Sequence, residues 1–180
     1  NGTVLSAGRR PEEDCTAVKL LKSAGAIIMG KTVTAELAVF APGKTRNPHD
    51  LKRTPGGSSS GSAAAVAARM VPLAIGSQTN GSVIRPASFC GIYGFKPTYG
   101  KISRSGVLQL SRILDHIGVF ARTIEDIVLI TECLMSYDPD DPDSIPTSTP
   151  PNLTYLLPRT RSFPSYLIKF IRLGIISGEW

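Results

Sequence analysis

Between Pro55 and Gly91 the chain is built largely of Gly, Ser, Ala, Thr and Asn, and this constrains its fold more than any other feature. Pro55-Gly56-Gly57-Ser58-Ser59-Ser60-Gly61-Ser62 reads as a loop and leads directly into an alanine-rich helix at residues 63–70. A short apolar run at 71–75 follows, then a second polar small-residue loop, Gly76-Ser77-Gln78-Thr79-Asn80-Gly81-Ser82. Alanine at nearly every helical position lets other backbones come close. Glycine at high density suits backbone approaching a ligand or turning through positive φ. Ten of the 17 glycines lie between Gly56 and Gly118. A serine–glycine linker would also be polar filler, but it does not predict a helix of alanines immediately behind it.

The 180 residues fit the prior of about one domain. No run of about 18 apolar residues exists to span a bilayer, and residues 1–8 lack the pattern of a secretory leader. Cys15, Cys90 and Cys133 are too few and too scattered for a disulfide framework or a zinc site, which points to a reducing, cytoplasmic setting. The net charge of +6 is unevenly spread. Residues 51–114 contain eight Lys and Arg and no Asp or Glu, so this stretch carries +8 and the remainder −2. Its basic residues stand singly, without an aromatic ladder, which argues against nucleic-acid binding. They suit an anionic reaction intermediate or acidic partners from elsewhere.

Pro11 followed by Glu12, Glu13 and Asp14 predicts a helix start, with Gly25 as the stop. Residues 26–29, Ala-Ile-Ile-Met, predict a short buried strand, giving a helix–strand unit of an α/β layered fold. Thr123, with Asp126 three residues on, predicts the cap of a helix over 123–135. Seven of the 14 prolines lie between Pro139 and Pro164, which predicts an irregular connector opened by Asp138, Asp140, Asp141 and Asp143. An apolar pattern resumes at 166–176.

Two short motifs compete for attention. Gly25-Ala-Ile-Ile-Met-Gly30-Lys31-Thr32 matches the phosphate-binding loop string, but its four middle residues are expected inside a sheet rather than in a loop. Gly57-Ser58-Ser59-Ser60-Gly61 matches a nucleophile elbow around Ser59. The preceding residues 51–56 are no buried strand, and the next acid and histidine, Asp115 and His116, are adjacent, which disfavours a triad.

A much longer pattern resembles the amidase signature family. It runs through Pro55–Ala68, Gly76–Gly91, Gly94-Phe95-Lys96-Pro97-Thr98-Tyr99-Gly100, Ser103-Arg104-Ser105-Gly106, Leu114-Asp115-His116-Ile117-Gly118 and Phe120–Asp126. The resemblance covers about residues 11–145 without a gap. It implies Ser82 as nucleophile and Ser58, 24 residues earlier and preceded by a cis bond, as the serine that relays its proton. It implies backbone N–H groups of Thr79, Asn80, Gly81 and Ser82 as an oxyanion hole, with Ser59, Arg85 and Asp115 in support. Asn80 stands where the family usually has glycine, and Ser60 replaces another common glycine. Arg85 is expected in an ion pair near the loop, Asp115 as the loop's structural partner, and Cys90 in the core.

The same resemblance puts the catalytic lysine upstream of Asn1, with Lys31 matching a different segment. The chain is therefore expected to be an internal piece of a longer enzyme, inactive alone. A serine hydroxyl is a poor nucleophile until a base takes its proton. A lysine made neutral by burial can act as that base through a bridging serine.

The implied fold is α/β, a mixed β-sheet core flanked by helices. Residues 1–145 form its central part, 146–165 a proline-rich connector, and 166–180 the start of its C-terminal part. The implied activity is hydrolysis of a carbon–nitrogen amide bond through an acyl-enzyme, with no metal or cofactor. The implied partner is a small-molecule amide, with neither nucleic acid nor membrane, and a homodimer is compatible. Gln78 and Leu108-Gln109-Leu110-Ser111-Arg112 are read as fitting free-standing amidases. The alternatives are the amidotransferase component that works on mischarged glutamyl-tRNA and an inactive fragment or pseudoenzyme.

Overall fold

Residues 2–39 and 41–146 are described by the structure, a computed structural model. Four helices and three strands organise them: α1 (Thr16–Ser23), α2 (Ser60–Ala67), β1 (Leu73–Gln78), α3 (Ile84–Cys90), β2 (Tyr93–Phe95), β3 (His116–Ala121) and α4 (Ile124–Leu134). The strands form one sheet in the order β1-β3-β2, antiparallel throughout the described part. Leu73 pairs with Ala121 and Gln78 with His116, so β1 and β3 match along their full lengths.

Side chains alternate across a strand, and β3 is buried on both faces because each alternate set meets its own pair of helices. Ile117, Val119 and Ala121 join Ala17 of α1 and Ile127, Ile130 and Leu134 of α4 in one cluster. Phe120 joins Ala63 and Val66 of α2 and Val83, Ala87 and Cys90 around α3 in the other. The result is helix, sheet and helix in three layers, the α/β arrangement expected from the sequence. Cys90 is fully buried, and burial pushes its thiol up to about 11.

α4 begins as its cap predicts, with the Asp126 N–H donating to Thr123 Oγ1 at 3.1 Å. α1 starts at Thr16, later than Pro11 suggests. The acids ahead of it lie outside the helix and reach forward instead, Glu13 to Lys19 and Asp14 to Lys22.

The expected strand at 26–29 does not form. Residues 26–34 are irregular, and Ile27 and Met29 are 86% and 77% exposed. Apolar character alone does not make a strand, since a strand needs a neighbour's backbone for its hydrogen bonds. No described strand pairs with this segment. The phosphate-loop reading fails on a different ground from the one expected: no α-helix begins at Lys31 and Thr32 to present its N–H groups, the next helical segment being the short 3-10 turn Glu36–Ala38.

Asp138–Ser144 also differs from a plain connector. Asp138 and Asp141 are buried, with Asp138 accepting from Ser103 and Thr16 hydroxyls and Asp141 from Arg104. The connector from residue 147 onward and the apolar pattern at 166–176 lie outside the described residues, as does the boundary drawn at 165/166. No helix among the described residues is long and apolar enough to cross a membrane.

Candidate active site

The two small-residue loops meet at the end of β1. The peptide bond between Gly57 and Ser58 is cis. The Ser58 carbonyl is held from several directions, accepting from the N–H groups of Ala35 (2.9 Å) and Ser60 (2.8 Å) and from the Thr34 hydroxyl (3.0 Å). The Ser59 N–H donates to the Ser82 carbonyl at 3.3 Å, which ties the first loop directly to the second. Ser59 Oγ donates to the Ser77 carbonyl (3.2 Å) and accepts from the Ser77 N–H (3.3 Å), so it stitches α2 to β1. Ser62 Oγ does the same one turn on, donating to the Ile75 carbonyl at 2.8 Å. Ser59, the centre of the elbow motif, is thus spent on this stitch.

Small residues are required for this closeness. A Cβ added at Gly76 would stand 2.6 Å from Ser59 Oγ and 2.8 Å from the Phe120 ring. Gly81 turns the second loop through φ +82°, where a side chain is strained.

Ser58 and Ser82 are both buried, at 1% and 7% exposure. Among the described residues Ser58 Oγ has no hydrogen-bond partner. A buried hydroxyl left unpaired costs about 1–3 kcal/mol, so this is a position where a partner group is worth having.

The donors of the second loop divide sharply. The N–H groups of Val83 and Ile84 both donate to Gln78 Oε1, at 2.9 and 3.0 Å. Among the described residues those of Thr79, Asn80, Gly81 and Ser82 meet no acceptor. Gln78 thus closes the start of α3 and leaves the four preceding donors open, a role that the glutamine's position in the loop does not reveal by itself.

Arg85 corrects an expectation. It forms no ion pair among the described residues, and instead donates to the Gly57 carbonyl (3.1 Å) and the Asn80 carbonyl (2.8 Å). One guanidinium therefore clamps the residue before Ser58 to the loop that carries Ser82. Asp115 is the loop's partner as expected, accepting from Thr79 Oγ1 at 2.5 Å. Asn80 is exposed, so its side chain does not fill the loop's interior. Lys31 is exposed on the irregular segment after α1. His116, beside Asp115, faces the Tyr99 ring edge-on, and burial lowers its imidazole below the usual range.

The arrangement brings together two buried serines, a row of open backbone donors and a clamp that joins their loops. Comparison with known proteins gives the family. The sequence profile of the family named Amidase matches residues 1–162. The chain belongs to the amidase family.

Among curated members, a glutamyl-tRNA(Gln) amidotransferase subunit from Carboxydothermus hydrogenoformans is 48% identical over 154 residues, covering 81% of this chain and 31% of that protein. The amidase-family chain thus spans about a third of the length of the curated relatives it matches. The solved glutamyl-tRNA(Gln) amidotransferase subunit from Thermotoga maritima superposes with a TM-score of 0.77 at 39% identity, over 83% of this chain and 34% of that one. The native peptide amidase of Stenotrophomonas maltophilia superposes with a TM-score of 0.80 at 34% identity, over 86% and 34%. Both are amidase-family folds.

Proposed function

We propose that this amidase-family chain supplies the serine-bearing part of an enzyme that cleaves an amide C–N bond through an acyl-enzyme. The observation that carries the reading is the pairing of an orphaned, buried Ser58 hydroxyl with four open N–H donors around Ser82. Ser82 Oγ attacks the amide carbonyl carbon. Its proton passes through Ser58 to a lysine outside the described residues, the base that the family resemblance implies. The carbonyl oxygen becomes an oxyanion facing the donors of Thr79–Ser82, and preorganised donors of this kind are worth about 3–4 kcal/mol each in the transition state. The C–N bond then breaks, the nitrogen leaves with the relayed proton, and water cleaves the resulting ester to restore the Ser82 hydroxyl. Arg85 keeps the two serine loops in register throughout.

The curated relatives favour one substrate reading over the free-standing amidase drawn from Gln78. Relatives at 42–48% identity are named as glutamyl-tRNA(Gln) amidotransferase components, which supports a reading in which the amide is that of glutamine and its nitrogen is passed to a glutamyl-tRNA. The test is a chimera in which this chain replaces the matching third of the Carboxydothermus relative. It should yield hydroxamate from glutamine and hydroxylamine, and Ser82 should take a fluorophosphonate label. Ser82→Ala should lower hydroxamate formation by about 10⁴-fold or more. A folded chimera that neither labels nor forms hydroxamate overturns the acyl-enzyme. Turnover of simple or peptide amides in preference to glutamine overturns the amidotransferase reading alone.

A further inference from the structure

We infer that Asn47 is a positioning residue for the proposed acyl transfer, fixing through α3 where Ser58 stands relative to Ser82; this rests on the reading of Ser58 as the proton relay. Asn47 is buried at 6% exposure, and its side-chain amide is engaged at both ends. Nδ2 donates to the carbonyls of Phe89 (2.8 Å) and Thr54 (3.4 Å), and Oδ1 accepts from the His49 N–H at 3.0 Å. His49 Nε2 in turn donates to the Cys90 carbonyl at 2.9 Å. Phe89 and Cys90 are the last two residues of α3, where a helix leaves carbonyls without partners of its own. The turn at 47–49 supplies those partners and so fastens its loop to that end of the helix.

α3 supports both serines. It opens at Ile84, two residues after Ser82, and ends at Cys90. The four residues before Ser58 lie along it. Thr54 is joined through Asn47 to Phe89, and the Pro55 carbonyl accepts from Cys90 Sγ at 3.4 Å. Gly56 is so close that an added Cβ would stand 2.9 Å from Pro86 Cα. The Gly57 carbonyl accepts from Arg85 at 3.1 Å. The approach to Ser58 thus passes from the last turn of α3 to its first, so the helix sets how far Ser58 lies from Ser82. Asn47 holds the far end of this span and Arg85 the near end. Arg85 is exposed and Asn47 buried, and a hydrogen bond in low-dielectric surroundings is the stronger one.

Gly56 and Gly57 bring no side chains that could lock the approach by packing, so it depends on these anchors. The direct tie between the two loops, the Ser59 N–H on the Ser82 carbonyl at 3.3 Å, acts on the α2 side of Ser58. Asn47 secures the other side, and it touches neither serine. Without its amide the Phe89 carbonyl loses its donor and residues 54–57 can shift along α3, carrying Ser58 with them. Displacements of about 1 Å at an active site can cost about 100-fold in rate.

The experiment uses the chimera described above and compares Asn47→Ala and Asn47→Asp, each with Ser58 intact and with Ser58→Ala. The readouts are kcat and KM for glutamine hydrolysis and the rate of fluorophosphonate labelling at Ser82. With Ser58 intact, Asn47→Ala should lose about 10–100-fold in kcat and in labelling rate with KM changed little, as for an interaction felt in the transition state. Asn47→Asp keeps the shape but sets a carboxylate against two carbonyls, and should lose at least as much. In Ser58→Ala, Asn47→Ala should slow labelling by no more than about twofold further, because its effect reaches Ser82 only through Ser58. If neither Asn47 variant folds, His49→Ala, at an exposed position on the same anchor, carries the comparison with a loss of about 3–10-fold. Parent-like labelling in folded variants overturns the proposal, as does a lowered melting point with kcat unchanged, or an equal slowing in both Ser58 backgrounds. A Ser58→Ala chimera that labels as fast as the parent overturns the relay reading, and a parent that never labels overturns the nucleophile reading, each taking this proposal with it.

Discussion

Two neighbouring regions are held together by opposite means. The serine loops at 57–62 and 76–82 are joined by hydroxyls, backbone amides and one guanidinium on two carbonyls, with no carboxylate among those contacts. The region around Arg104 is ionic. Arg104 pairs with Asp141 at 3.3 Å and Asp143 at 2.6 Å, and Arg112 with Asp143 at 3.1 Å. Contacts without a carboxylate fix a backbone closely without placing a negative charge where an oxyanion would form. Ion pairs suit the other task, anchoring a distant acidic segment, because each partner is costly to bury alone. Among the described residues, Asp115 is the carboxylate that reaches from the second region to the first.

The largest stability effect should come from the ionic region. The Arg104 and Asp141 side chains are 11% and 3% exposed, so Arg104→Ala strands a buried carboxylate. It should cost about 3–5 kcal/mol, read by urea unfolding. A loss within error would show that Asp141 is satisfied by its N–H donors alone and would break the comparison.

A smaller loss is expected in the serine loops. Gly76→Ala puts a methyl group 2.6 Å from Ser59 Oγ, and overpacking of this kind costs about 1–3 kcal/mol. Because Ser59 adjoins Ser58, this variant should also slow labelling of Ser82, whereas Arg104→Lys should act on stability first.

The mildest test is pH. Arg112 and then Arg104 hold the Asp143 carboxyl down to about 2. Burial would raise the Asp138 and Asp141 carboxyls, but hydrogen bonds from Ser103 and Thr16 onto Asp138, and from Arg104 onto Asp141, outweigh it and keep both below the ordinary value of 3.8. Between folded and unfolded pKa the unfolded chain binds more protons, so stability rises with pH there. The contribution is complete above about pH 4 and fades as pH falls toward about 2. Urea midpoints measured across that window should fall with acid in the parent and flatten in Asp143→Asn. An equal slope in both would remove Asp143 from the ionic set.

Much of the site is legible in sequence because its signal is local. The family resemblance points to Ser58, Ser82, the cis bond and the loop at 79–82 through two contiguous strings whose small residues serve close packing. Thr123 is legible for the same reason, since a cap bonds a neighbour three residues on. The segment at 26–29 misleads because four apolar residues do not say whether a partner strand lies beside them. Arg85 misleads because a basic residue in a polar loop can meet a carbonyl as readily as a carboxylate. Gln78 stands out in the loop, but its capping of Val83 and Ile84 depends on the chain turning back at Gly81.

The long ordered resemblance over about residues 11–145 is enough to set the family and its α/β layering, and runs of small residues mark the two serine-bearing loops. The sequence also marks out the acid-free stretch at 51–114. What that stretch means emerges only from the folded chain. Arg104 and Arg112 meet Asp141 and Asp143, which lie some thirty to forty residues further on. Arg85, exposed, lies across two loop carbonyls, and Asp115 spans from its own turn to Thr79. Charge pairing over such distances depends on where the chain folds back, which no local pattern of residues encodes.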